Sequence, residues 1–408
     1  MTTTPTEVFA AFPFERGADP VLPPVEYAQA RQLDAPLVKI KMWNDNVAWL
    51  ATRYDDVVEL LTDNRFSANP HAEKYPSPTS SRAAVLNAEP PALGQIDMPE
   101  HSRLRRMFTP MFTLKRMLEF SDQIQEVIDR ALDNLVAAGP GADLCRLFAY
   151  EIPTTVVAVV MGVPAEDRLF FIETANARFF HTKDPQAAID AGVALGDYFD
   201  RLLSEREASP REGNDVVNRI VNEQILPGNL DHKDAITLLR NILVNGQDTT
   251  ANVMSIGVVL FLEHPDQLQK VKDDWSKLPG AVAEILRYTT PAHFQAPRTA
   301  LEEVDFKGIT IAKGEGIIAS LLAADNDPAE FPDPQAFDVE RDTSHHVAFG
   351  SGIHTCLGQQ LAKVELELAF RTLFTRLPNL KLAVPYEELR FTNNTGQAFG
   401  IHEVPVTW

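Results

Sequence analysis

Two cysteines in 408 residues, Cys145 and Cys356, leave no material for a disulfide framework. A chain this long can bury a large core without such staples, and 45% hydrophobic residues suffice to build one. Basic residues are scarce beside acidic ones, 37 against 57, and the formal net charge is -20. That deficit argues against nucleic acid or an anionic membrane as a partner, since both demand a basic surface. No run of apolar residues has the length a bilayer crossing requires, and Met1-Thr2-Thr3-Thr4-Pro5-Thr6-Glu7 has neither the basic nor the apolar part of a secretory leader. The expectation is a cytoplasmic protein in a reducing compartment. Gly/Ser linkers, charge blocks and repeat periods are missing too, so residues 1–408 are expected to form one unit, loosely ordered only over 1–15.

What is present is mostly helical pattern. Apolar residues recur at i, i+3 and i+4 over Met98–Phe108, Leu114–Ala138, Ile152–Met161, Glu166–Phe180, Pro185–Ser209 and Asp215–Glu223. Strands are expected at Leu37–Met42 and Val47–Thr52 around a turn, near Phe294–Ile318, and in the tail from Leu380. Residues 68–95 read as a long irregular segment with one small helix, and a loop of that kind inside a compact protein is usually functional. The fold class is mainly α with a minor β part.

The chemistry gathers around Phe349-Gly350-Ser351-Gly352-Ile353-His354-Thr355-Cys356-Leu357-Gly358, directly before the helical run from Gln359. Gly350, Gly352 and Gly358 permit positive φ and close approach of a flat cofactor. Backbone N–H groups and the helix N-terminus stabilise the sulfur as an anion, and a thiolate can bind iron and donate electron density to it. A lone cysteine is usually an inert core residue. Six fixed positions matching F-G-x-G-x-H-x-C-x-G, however, arise by chance about once in a million for ordinary composition. The loop resembles the haem loop of the cytochrome P-450 superfamily, and the resemblance runs from about residue 20 to the C-terminus. It implies a triangular helical prism with small antiparallel sheets, haem b bound through Cys356, and Phe349, Gly350, His354 and Gly358 around it. Cys145 is then an inert thiol.

Asp231–His264 is the longest helical run, apolar nearly all round in its middle and therefore expected to be buried, with Asp231 as N-cap and Pro265 ending it. Into it is set Asn245-Gly246-Gln247-Asp248-Thr249-Thr250. Gly246 alone costs about 1 kcal/mol against Ala, and a Thr249 hydroxyl can take the carbonyl of Asn245 and open the turn. The group resembles the family's acid–alcohol pair A-G-x-[DE]-T, which implies that Thr249 donates a hydrogen bond and Asp248 relays protons. Asn245 departs from the usual Ala and shares a face with Ile242 and Thr249.

Glu284 and Arg287 lie at i and i+3, and if buried they must pair; with Arg341 they resemble the family's structural triad. His101 and Arg105 lie at i and i+4 and resemble its H-x-x-x-R element, which with Arg298 and His354 is expected to meet the haem propionates. Substrate walls are expected from residues 68–95, from 170–181, from Leu238, Leu239, Ile242, Asn245 and Gly246, from Ala292–Ala296 with His293, Phe294 and Gln295, and from 393–397. Arg103, Arg106, Lys115, Arg116 and Lys363 are candidates for a basic patch that receives an acidic ferredoxin.

The resemblance implies a monomeric monooxygenase that inserts one oxygen atom of O2 into a small organic substrate with borrowed electrons. Asn222–Asp231, His264–Leu268, Glu315–Ser320 and Leu380–Pro385 also look like the superfamily's soluble nitric oxide reductase branch, which takes hydride from NADH. That branch resembles A-G-x-A-T, without an acid, and carries basic residues where this chain has Ala68-Asn69-Pro70; both departures favour monooxygenation. A gas sensor or electron carrier needs no proton relay, and the Asp248-Thr249 pair stands against it.

Overall fold

The computed structural model describes residues 8–9, 12–179, 185–292, 296–392 and 398–408. It opens with β1 (Val8–Phe9), α1 (Val25–Gln32), the hairpin of β2 (Val38–Lys41) and β3 (Val47–Ala51), α2 (Tyr54–Thr62) and β4 (Phe66–Ser67). A helical body follows: α3 (Ser80–Ala88), α4 (Glu100–Phe108), α5 (Leu114–Leu118), α6 (Ser121–Ala138), β5 (Ala142–Asp143), α7 (Glu151–Met161), α8 (Arg168–Phe179), α9 (Pro185–Ala208) and α10 (Val216–Ile220). Then come α11 (His232–Glu263), α12 (Pro265–Asp273), α13 (Leu278–Thr289), β6 (Pro297–Ala300), β7 (Val304–Phe306), β8 (Ile309–Ile311), β9 (Gly316–Ala319), α14 (Leu321–Asp325), α15 (Gln359–Arg376), β10 (Lys381–Leu382) and β11 (Pro405–Thr407).

The mainly helical expectation holds, with four refinements. The run expected over 114–138 breaks in two, because Phe120 leaves helical geometry (φ -94, ψ 1) and turns its ring into the core. Beyond Ile220 the chain widens into a π turn, so α10 is shorter than its apolar pattern. Asp231 occupies the N-cap of α11, but its side chain makes no capping hydrogen bond. The sheets are not all antiparallel: in the six-stranded order β1-β2-β3-β9-β6-β4, the β1–β2 and β3–β9 pairs run parallel, since strands from distant parts of the chain meet there.

Of the stretch expected to be loose, residues 1–7, 10 and 11 lie outside those described. Val8–Phe9 pairs with β2, however, and Phe12 and Phe14 are buried against Tyr27, the rings of Phe14 and Tyr27 meeting at 5.5 Å. The apolar pull of two phenylalanines outweighs the polar composition of the extreme terminus.

α11 organises the rest. From Thr250 to Phe261 every residue is buried, and α7, α9, α13 and α15 pack on it. A helix apolar on all sides can rest only where other helices surround it. Among the described residues, no helix is long and apolar enough to cross a membrane.

Candidate active site

Cys356 sits in a loop closed on itself: its amide donates to the carbonyl of Phe349 at 2.8 Å. Gly350 and Gly352 adopt φ of 74° and 71°, the left-handed region that a side chain disfavours. Gly358 does not share this: its φ is -84°, and its value lies in space, because a Cβ there would meet nothing within 4 Å. The thiol is exposed into a cavity of about 1180 Å³ rather than hidden in the core. Burial from bulk water raises its pKa, opposed by the amides of Gly358 and Gln359 and the charge of Arg105. The N-terminus of α15 therefore favours the anion as expected, but desolvation outweighs it. Cys145 is the inert partner: buried, donating to Ser255 Oγ at 3.3 Å, its pKa pushed up by burial.

Four basic side chains expected together are brought together. The rings of His101 and His354 lie 4.5 Å apart, and Arg105, Arg298 and His354 line the cavity. Burial, then Arg298, His101 and Arg105, push His354 down to about 3; burial and then Arg105 also lower His101. Both ring nitrogens of His101 and Nδ1 of His354 are buried without a hydrogen-bond partner among the described residues. The nearby acid, Asp97, already accepts from the Ser67 hydroxyl and, at 2.9 Å, from the Ala68 amide. Converging cations and orphaned donors with no free carboxylate among the described residues form a site that lacks an anion. The carboxylates of a haem edge fit that need, and the thiol and the open face of Gly358 fit its iron and ring.

On α11, Thr249 Oγ1 donates to the Asn245 carbonyl at 3.0 Å, as its spacing foretold, and the Asn245 amide donates to the Asn241 carbonyl at 2.8 Å. Both side chains line the cavity together with Asp248, Gly246 and Ile242. Burial pushes Asp248 up to about 7, against the pull of a hydrogen bond from Asn252 Nδ2 at 3.0 Å.

The substrate walls are corrected in part. Leu239 is wholly buried in the core, and its neighbour Leu238 faces the cavity, because one residue turns about 100° around a helix. Phe170 and Phe171 pack on Tyr198, at 5.6 and 4.6 Å, and do not line the cavity. The irregular segment does line it, through Ala68, Tyr75, Thr79, Arg82 and Leu86 among others, as do Ala292 and Ala296. His293, Phe294, Gln295, the end of the 170–181 segment from Phe180, and 393–397 lie outside the described residues.

The structural triad is present. Arg287 and Glu284 are fully buried and joined at 2.6 and 2.8 Å, and Arg341 Nε reaches Glu284 at 3.2 Å. On the surface, the five-residue basic patch is thinner than expected. Arg103 is tied to Glu100 of its own helix at 2.7 Å, and Arg116 to Glu119, the residue that caps α5, at 2.9 Å. Arg106 and Lys115 are exposed, and Lys363 lies over the Phe349 ring at 5.6 Å.

Sequence reasoning missed Tyr150, Asn252 and Glu365, all cavity-lining. Asn252 was legible as the residue four beyond Asp248 on one helix face; nothing local marks the other two.

The family description Cytochrome P450 matches residues 165–406. Across 100% of this chain and 99% of the relative, the sequence is 37% identical to the vitamin D3 dihydroxylase of Streptomyces griseolus. It is 35% identical to the 20-oxo-5-O-mycaminosyltylactone 23-monooxygenase of Streptomyces fradiae, over 95% of this chain and 90% of that one. The crystal structure of cytochrome P450 MoxA from Nonomuraea recticatena superposes with a TM-score of 0.91 at 37% identity, covering 97% of this chain and 98% of that one.

Proposed function

Given that the chain belongs to the cytochrome P450 family, a family of haem-iron oxidoreductases, we propose that it inserts one oxygen atom of O2 into a small organic substrate held against haem b. The observation that carries this reading is that one cavity is walled both by the Cys356 loop and by the acid–alcohol pair of α11. Haem, when bound, supplies the iron at which dioxygen is reductively activated. Cys356 Sγ would ligate that iron, and His101, Arg105, Arg298 and His354 would hold the propionates. Ile242, Asn245 and Gly246 face the substrate space, with Leu238 in place of Leu239.

Thr249 has its hydroxyl anchored on the Asn245 carbonyl. That carbonyl is also the acceptor of the helix's own i→i−4 bond, so the hydroxyl competes with the backbone in the turn beside the cavity, while α11 runs unbroken from His232 to Glu263. Asp248, poised near neutrality, can take and give a proton at working pH. An acid at this place favours oxygen insertion over the hydride-fed reduction of nitric oxide, because the reductase branch resembles A-G-x-A-T and carries no acid there. Electrons come from a separate redox partner. We assign its docking to Arg106, Lys115 and Lys363 around the Cys356 face, with an acidic ferredoxin as the partner and the enzyme acting as a monomer.

The test is spectral and catalytic. Reduced protein under carbon monoxide should show the red-shifted absorption of thiolate-bound haem, and Cys356→His should abolish it. Thr249→Ala should divert reducing equivalents from product into hydrogen peroxide. Rapid NADH consumption with nitric oxide and no ferredoxin would overturn the monooxygenase reading in favour of a nitric oxide reductase.

A further inference from the structure

Asp248 does not stand alone behind the cavity. Its Oδ1 accepts from Nδ2 of Asn252, one turn further along α11, at 3.0 Å. Oδ1 of Asn252 in turn accepts from the Tyr150 hydroxyl, at the entry to α7, at 2.7 Å. Asn252 and Tyr150 are buried, whereas Asp248 is half-buried with Oδ2 unpartnered among the described residues. The amide is also wedged from the C-terminal segment. A Cβ on Gly400 would overlap Asn252 Oδ1, so only glycine there leaves the amide its place.

A carboxamide can present either end to a neighbour. With Tyr150 donating to its oxygen, the Asn252 amide must turn its N–H toward Asp248. That N–H occupies one carboxylate oxygen and favours the ionised form, since hydrogen bonds to charged groups are the stronger ones. Oδ2 is left for the cavity. We infer that Tyr150 and Asn252 are positioning residues that lock the Asp248 carboxyl so that one oxygen alone handles the proton. The inference rests on the relay reading of Asp248 and adds to it the parts that set its orientation and charge.

The electrostatics agree. Burial is the cause that raises Asp248, and the Asn252 donor is what opposes it. The titratable group facing it from α7 is Tyr150, itself raised by burial and by Asp248, with Cys145 and Asp143 acting on Tyr150 in turn. Glu365 from α15 and His402 from the C-terminal segment line the same cavity. Removing the Asn252 donor therefore moves Asp248 upward, and removing the Tyr150 hydroxyl does so less, by freeing the amide to turn.

The experiment uses the haem-loaded enzyme with its redox partners and a turned-over substrate. It reads product formed per NAD(P)H consumed and the solvent deuterium isotope effect, from mildly acidic to mildly alkaline pH. Tyr150→Phe, Asn252→Leu and Asp248→Asn are compared, with the carbon monoxide spectrum as control for intact haem binding. The expected result is an unchanged spectrum and a coupling profile whose midpoint moves to higher pH, by about one unit for Asn252→Leu and less for Tyr150→Phe. If Asp248→Asn uncouples the enzyme while the profiles of the other two superimpose on the parent, the positioning role is overturned and the relay stands. If Asp248→Asn couples like the parent, the relay reading fails and the inference with it. Should Asn252→Leu not fold, the isosteric Tyr150→Phe decides alone.

Discussion

Glu365 shows most sharply what a single buried group costs. It sits on α15, is 1% exposed, and its Oε1 has no hydrogen-bond partner among the described residues, so burial alone raises its pKa well above the usual carboxylate range. Below the ordinary value near 4.5 the folded and unfolded chains are both protonated, and the group is neutral in its effect. As pH rises, the unfolded chain ionises freely while the folded one keeps its proton, so stability falls. Glu365→Gln removes the proton linkage and keeps the shape. The melting temperature of the variant should therefore exceed that of the parent by a margin that widens from acidic to alkaline pH. A margin independent of pH would mean that Glu365 is ionised in the fold.

Between elements, α7 and α11 meet at a glycine. A Cβ on Gly246 would lie 2.8 Å from Val157 Cγ2, and a β-branched residue within α7 has little freedom to withdraw. Alanine at 246 gains about 1 kcal/mol of helix propensity, whereas overpacking costs about 1–3 kcal/mol. Gly246→Ala should thus be net destabilising in the parent and stabilising in a Val157→Ala background, a reversal that denaturant titration of the four proteins would reveal. Equal effects in both backgrounds would show that the two helices do not touch there. The composition of α11 made its burial and the Thr249 anchor legible, because both depend only on spacing along one helix. The choice between Leu238 and Leu239 was not legible, since two adjacent leucines are equally apolar and only packing decides which of them turns to the cavity. Nor was Tyr150, whose partnership with Asn252 spans 102 residues of chain and exists only once α7 is packed.

At the scale of the molecule, sequence reasoning found the Cys356 loop from a local motif and the cavity's irregular wall from composition, while the buried triad, in which Arg341 meets Glu284 across 57 residues of chain, was legible only by resemblance. It overestimated the basic patch, because which arginines are neutralised depends on neighbours one turn away: Arg103 on Glu100 and Arg116 on Glu119. What remains of the proposed patch is Arg106, Lys115 and Lys363, set on a chain of net charge -20. An acidic ferredoxin approaching it meets repulsion from the whole and attraction from the part. Salt separates the two by range, since the screening length falls from about 30 Å at 0.01 M to about 8 Å at 0.15 M ionic strength. The first additions of salt remove the distant repulsion while sparing the contact pairs, and later additions weaken the pairs themselves. The rate of electron delivery from such a donor should therefore rise and then fall with ionic strength. Lys115→Glu with Arg106→Glu should lower the maximum several-fold and erase the falling limb. A rate that climbs steadily in the parent protein, with no descent, would place the docking surface elsewhere on the molecule.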